Sequence, residues 1–162
     1  MDYSIERKFQ AMIRAYDKLK KFEATSKPQM HVEVQFGETT DLAEAFFSQC
    51  YHLKDYIKKE MPQGAGLKVE AYINSQGPLR IAADYCNSLK HAGLDRAPRS
   101  GDHIDRQHVH RRLDMTSKGF TTSERLEIVV GPKSYDAFKL ATDCVSAWKA
   151  FFMSHGIAIP QP

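Results

Sequence analysis

The stretch TDLAEAFFSQCYHLKDYIKKE, residues 40–60, indicates a helical protein, because its apolar residues recur at steps of three and four. This spacing places them on one face of an α-helix. Thr40 or Asp41 is a plausible N-cap and Pro62 interrupts the pattern, so we predict a helix that ends at about Glu60. The predicted buried stripe consists of Leu42, Phe46, Phe47, Cys50, Leu53 and Ile57.

Four further segments show the same helical periodicity. They are residues 2–25, about 68–75, about 78–92 and about 134–155. Pro28 disfavours helical geometry at Lys27, the residue before it, so we predict that the first helix has ended before Lys27. Pro78 suits a first helical turn, and Gly93 suits the position just past a helix end.

Alternation of apolar and polar residues predicts β-structure before the last helix. RQHVHRRLDM, residues 106–115, and ERLEIVV, residues 124–130, are joined by the turn SKGFTTS. HVEVQF, residues 31–36, is a short strand or an extended connector. The predicted fold class is mainly α: an up-and-down bundle of four to five helices in a single domain, residues 1–162, with a β-hairpin at about 105–131 inserted before the last helix.

The composition and motifs of the chain limit its cellular location and the classes of enzyme to which it could belong. No apolar run approaches the roughly 18 residues that cross a bilayer, so we expect no membrane span. The three cysteines, Cys50, Cys86 and Cys144, lie in apolar helical patterns, which favours reduced thiols and a cytoplasmic location. The sequence contains no P-loop, dinucleotide-binding or nucleophile-elbow motif, so nucleotide-dependent transferases, Rossmann oxidoreductases and α/β-hydrolases are not supported.

Two of the predicted helices carry polar residues at matching positions. The two sets, each at i, i+4, i+7 and i+11, are Arg80, Asp84, Asn87 and His91 in the later helix and Ser48, His52, Asp55 and Lys59 in the earlier one. The opposite side of the later helix, which includes Cys86 and Leu89, is predicted to be buried. The polar sets are either ordinary solvent faces or two sides of a working surface, since Asn and Asp are poor helix-interior residues and His suits proton transfer near neutral pH.

The segments CYHLKDYI, residues 50–57, and ADYCNSLKH, residues 83–91, resemble the HEPN superfamily of small helical domains. Members of that family are common in toxin–antitoxin and other defence systems. The family motif is an Arg, then Asn, Asp or His, then a His four to six residues after the Arg. Here His91 takes the His position and Asn87 the polar position, whereas Cys86 stands where the Arg is expected.

The resemblance implies a homodimer that binds RNA or cleaves it as a metal-independent endoribonuclease with no cofactor. His91 would act as base or acid, with His52 second, and Asp55 or Asp84 would orient an imidazole. Phosphate contacts would come from the nearby Lys90, Arg96 or Arg99, or from Arg80 of a second subunit. Because a Cys86 thiol cannot replace a guanidinium, the alternative is a non-catalytic interaction module that binds an antitoxin, another protein or a nucleic acid.

Five arginines lie close together in the sequence, although the formal net charge of the whole chain is only +3. They are Arg96, Arg99, Arg106, Arg111 and Arg112. Clustered arginine is typical of a nucleic-acid-binding surface, and an exposed basic hairpin without a ligand is the alternative.

Three histidines, His103, His108 and His110, lie in the same region of the sequence. His108 and His110 would point to the same side of a strand, with oxygen ligands available from Asp102 or Asp105. Because there is no H-E-x-x-H motif and no paired-cysteine motif, we expect a polar hairpin face rather than a metal site.

Overall fold

The computed structural model describes residues 4–24, 38–91, 97–117 and 119–159. Within these residues it contains five helices and one antiparallel sheet of three strands. The elements in chain order are α1 (Ile5–Ala24), α2 (Glu38–Glu60), α3 (Ala65–Ser75), α4 (Gly77–His91), β1 (Ile104–Thr116), β2 (Gly119–Val130), β3 (Lys133–Asp136) and α5 (Ala137–Ser154).

The predicted fold class, mainly α with a small sheet before the last helix, is confirmed. All five predicted helices are present, and α5 starts at Ala137 because β3 occupies the preceding residues. The segment 31–36, predicted to be extended, lies outside the described residues. None of the helices in the described ranges is both long and apolar enough to cross a bilayer.

Helix α2 lies at the centre of the molecule, where it packs against the four other helices and against β2. Of its predicted stripe only Leu42 is partly exposed, and the other members are buried. The indole N–H of Trp148 in α5 donates a hydrogen bond to Cys50 Sγ at 3.3 Å. The helices and the sheet therefore share one hydrophobic core.

The sheet is larger than the predicted hairpin. β1 pairs with β2 from Ile104↔Val130 to Thr116↔Gly119, so the connection is shorter than the predicted SKGFTTS turn. β-branched threonines in the second half of that segment favour strand, which explains the longer ribbon. β3 pairs with β2 through Val130↔Lys133 and its neighbours, and the Gly131-Pro132 break is the tight turn between them.

The two faces of the sheet have different chemistry. Leu126, Ile128 and Val130 of β2 point into the core, and Val109 of β1 lies opposite Leu126. Because side chains alternate along a strand, the residues next to them in sequence point outward. On this outer face β1 presents Arg106, His108, His110 and Arg112.

Two expectations about α4 were wrong. Leu89, predicted to be buried, is 39% exposed. Asp84, placed on the polar stripe of the helix wheel, is only 1% exposed. Asp84 is buried because the segment 97–100 folds back over it, a contact that the periodicity of one helix cannot reveal.

Candidate functional site

An open groove of about 370 Å³ lies between α2 and α4, where the HEPN resemblance places a site. Its lining residues are Asp41, Glu44, Ala45, Ser48, Cys86 and Leu89. Burial and the charge of Asp41 raise the pKa of Glu44. The lining contains two carboxyl groups and no Lys or Arg, so the groove is electrostatically unfavourable for a phosphate.

The imidazole of His52 lies beside the thiol that replaces the motif Arg. His52 Nε2 is 4.0 Å from Cys86 Sγ, and Cys86 is fully buried. Sequence spacing alone did not predict this contact, because it joins α2 to α4 across 34 residues.

Asp84 anchors the segment that follows α4. Its Oδ1 accepts a hydrogen bond from the backbone N–H of Arg99 at 2.9 Å. Its Oδ2 accepts bonds from the backbone N–H and the hydroxyl of Ser100, both at 2.7 Å. Both carboxylate oxygens are thus used to hold the segment that follows α4.

Arg99 takes part in an ion-pair network between helices. Its Nη1 donates to Glu70 Oε2 at 2.9 Å and to Asn74 Oδ1 at 3.0 Å, and its guanidinium lies over the Tyr51 ring. Burial alone would raise the pKa of Glu70, but the hydrogen bonds from Lys58 and Arg99 outweigh it and lower that pKa to about 2. Arg99 is therefore already occupied by protein partners.

The other candidate residues of the helices are spread over different surroundings. Asp55 is exposed and pairs with its neighbour Lys54 at 2.7 Å. Within the described part of the chain, the buried Nδ2 of Asn87 and the buried Nε of Arg80 have no hydrogen-bond partner. His91 and Lys90 lie in the last turn of α4, and their side chains are outside the description, as is the whole of Arg96.

The outer face of the sheet carries a row of exposed Arg and His side chains. Arg106, His108, His110 and Arg112 follow one another along β1 and are all exposed. Arg125 of β2 is the register partner of His110 and extends the row sideways. Arg125 is not among the residues predicted from the sequence, although its alternation with the buried Leu126 indicates an outward-facing position. Arg111 points to the other face, where its Nε donates to Glu124 at 2.7 Å.

Two carboxylates partly balance this charge. His110 Nε2 is 3.0 Å from Glu127 Oε2, and Arg125 Nε is 2.5 Å from Asp136 Oδ2. The hydrogen bond from His110 lowers the pKa of Glu127. Arg106 is exposed, and no ion pair joins it to another of the described residues.

The three histidines predicted as a cluster are only partly brought together. The ring centroids of His108 and His110 are 6.2 Å apart. His103 is exposed in the loop before β1, where its carbonyl accepts the Gly131 N–H. In the residues that the structure covers, no group of three or more His, Cys, Asp or Glu side chains could hold a metal ion.

Comparison with known proteins adds no relative to this description. No protein-family model, no curated protein and no solved structure matches the chain.

Proposed function

We propose that the protein binds single-stranded RNA across the outer face of its three-stranded sheet. The observation that supports this function is the row Arg106, His108, His110 and Arg112 on β1, extended by Arg125 on β2. The six residue-to-residue steps from Arg106 to Arg112 span about 20 Å, which is long enough to contact several successive phosphates.

The residue types on this face favour RNA with accessible bases. Arg provides a planar fork for phosphate oxygens, and both Arg and His can stack on an unpaired base. In an A-form duplex the major groove is too narrow for side chains to read, so a flat face of this kind suits single strands better. The resemblance of residues 50–57 and 83–91 to HEPN domains independently favours RNA as the ligand.

Binding is a better-supported activity than cleavage. The α2–α4 groove is acidic, Asp84 and Arg99 are occupied by structural contacts, and the thiol of Cys86 is buried. These surroundings oppose the charge stabilisation that a transferring phosphate requires.

RNA affinity as a function of salt tests the proposal. Fluorescence anisotropy of a labelled single-stranded RNA should give a Kd that rises steeply with salt, because bound phosphates release counterions. Arg106→Ala/Arg112→Ala should weaken binding about tenfold or more and reduce the salt slope by about 2. Arg7→Ala/Arg14→Ala, which removes the same charge from exposed positions on α1, should change the Kd much less.

The opposite result would reject this function. If wild type shows no binding at low salt, or if the two double variants lose affinity equally, the outer face is not a specific RNA surface. An interaction module for a protein partner such as an antitoxin would then be the remaining function.

Metal-independent RNA cleavage is the second candidate, favoured by His52 beside Cys86 and by the unpaired amide of Asn87. Incubating wild type, His52→Ala and His91→Ala with a mixed RNA pool in EDTA tests it. RNA cleavage by wild type that is lost in both variants would show that the protein is an endoribonuclease. Uncleaved RNA in all three folded proteins would leave binding as the activity.

The proposal includes a cytoplasmic homodimer, in which Arg80 of a second subunit could approach the α4 motif. Light scattering coupled to gel filtration tests this assembly. If the protein is a monomer at all accessible concentrations, a site built from two subunits is rejected.

A further inference from the structure

We propose that pH regulates the affinity of the outer face for RNA, because His108 and His110 add positive charge to the phosphate-binding row when they are protonated. The regulation rests on the proposed RNA-binding function and makes the proton a second ligand of the same face.

The two histidines lie in the middle of the basic row. Along β1 they stand at alternate positions between Arg106 and Arg112, so all four side chains point to the same side of the sheet. Both histidines are exposed, and their ring centroids are 6.2 Å apart. A single strand of RNA that contacts both arginines therefore passes over both imidazoles.

Charged groups from all three strands face the two imidazoles. They are Arg106 and Arg112 of β1, Arg125 and Glu127 of β2, and Asp136 of β3. With neutral imidazoles, these three guanidinium groups and two carboxylates leave one net positive charge, and two protonated imidazoles would raise it to three. The histidines thus decide most of the change in charge that this row can undergo.

The contacts on the face leave both imidazoles accessible to a phosphate. The His110 side chain is 59% exposed although its Nε2 lies 3.0 Å from Glu127 Oε2. His108 is the register partner of Glu127 and is exposed as well. The other carboxylate, Asp136, is already paired with Arg125.

The direction of the pH effect follows from the chemistry of histidine. An imidazole gains its positive charge as the pH falls through the range from about 8 to 5 and loses it as the pH rises. Glu127 does not cancel this change by taking up a proton itself, because the hydrogen bond from His110 lowers the pKa of that carboxyl. RNA should therefore bind more tightly in mildly acidic solution than in mildly basic solution.

Fluorescence anisotropy of the full chain with a labelled oligouridine tests the regulation, since no group of this RNA gains a proton in the range used. At constant ionic strength, wild type should bind about tenfold more tightly at about pH 5.5 than at about pH 8. The salt dependence should also be steeper at the lower pH, by up to about 1.4 in the slope for two further phosphate contacts.

Two variants identify the groups responsible. His108→Gln/His110→Gln should lose most of the difference in Kd and in salt slope between the two pH values, because glutamine is polar but does not take up a proton in this range. His103→Gln removes another exposed histidine, outside the row, and should keep the difference. Circular dichroism at both pH values checks that each protein is folded.

Two results would overturn the regulation while leaving RNA binding in place. They are an equal Kd of wild type at the two pH values and a pH effect that His108→Gln/His110→Gln retains in full. Absence of binding at both pH values and low salt would instead reject the RNA-binding function, and its control by pH with it.

Discussion

At the scale of single residues, two carboxylates of the polar helix faces lie in very different surroundings. Asp55 or Asp84 was expected to orient an imidazole; Asp55 is exposed, whereas Asp84 accepts three hydrogen bonds from the segment after α4. A buried carboxylate with such partners is a structural anchor, because leaving those donors unpaired is costly.

Replacing these two carboxylates should therefore affect stability very differently. Asp84→Asn removes the charge and sets an NH₂ group against the loop N–H donors, so we expect a loss of about 2–3 kcal/mol in the free energy of unfolding. The matched variant Asp55→Asn should change it by less than about 0.5 kcal/mol. Urea denaturation followed by circular dichroism measures both. Equal stability of the two variants, with loss of RNA cleavage in Asp84→Asn, would instead assign Asp84 a catalytic role.

At the scale of elements, two backbone segments approach closely between α2 and α3. A Cβ built on Gly66 would lie beside the carbonyl oxygen of Met61, which already accepts the Gly66 N–H at 2.9 Å. That oxygen belongs to the backbone and cannot move away without opening the turn. The glycine is thus required by the approach of two backbone segments.

Gly66→Ala should destabilise the protein by about 2 kcal/mol, because the turn must open to admit the methyl group. Gly77→Ala is the control, since a Cβ at Gly77 meets nothing within 4 Å. It should be neutral or slightly stabilising, by up to about 0.5 kcal/mol. Thermal unfolding of both variants gives the comparison, and equal melting temperatures would contradict the steric explanation.

The network that joins α2, α3 and the loop after α4 should make stability depend on acid pH. Folding lowers the pKa of Glu70 from 4.5 to about 2, so its contribution is fully present above the unfolded-state value. It is lost as the pH falls from about 5 to 2, and after allowance for solvent screening it amounts to about 1 kcal/mol. Urea midpoints of wild type and Glu70→Gln should therefore converge over this range. A constant difference between them would show that the ion pairs do not stabilise the fold.

At the scale of the whole molecule, the sheet and the helices should unfold together because they share one core. Ile128 of β2 is fully buried in that core, and the single tryptophan, Trp148, lies in α5. A substitution that destabilises the sheet should therefore change the unfolding transition that is measured by the fluorescence of Trp148 in α5. This is the behaviour of one cooperative unit rather than of a bundle with an independent hairpin.

Ile128→Ala should lower the stability measured by Trp148 fluorescence by about 2–5 kcal/mol, as is usual for a cavity in a packed core. Met115→Ala, at a position that is 77% exposed near the ribbon tip, should have almost no effect. Coincident fluorescence and circular-dichroism transitions would support a single unit. A fluorescence transition that Ile128→Ala leaves unchanged would mean that the sheet unfolds separately.

The sequence by itself determined the helices and the chemistry of β1, because both depend on short periodic patterns. The three- and four-residue steps predicted α2, and period-two alternation put His108 and His110 on one side of a strand. Such patterns report local geometry, which neighbouring residues largely decide.

Only the tertiary structure decided which side chains meet across elements. It added β3, brought His52 to Cys86, used Asp84 to hold the loop and placed Glu127 against His110. These contacts join residues 16 to 34 positions apart, or depend on strand register, so no local pattern encodes them. Helix periodicity can tell which face is apolar, but the packing of one element on another selects the polar groups that become buried.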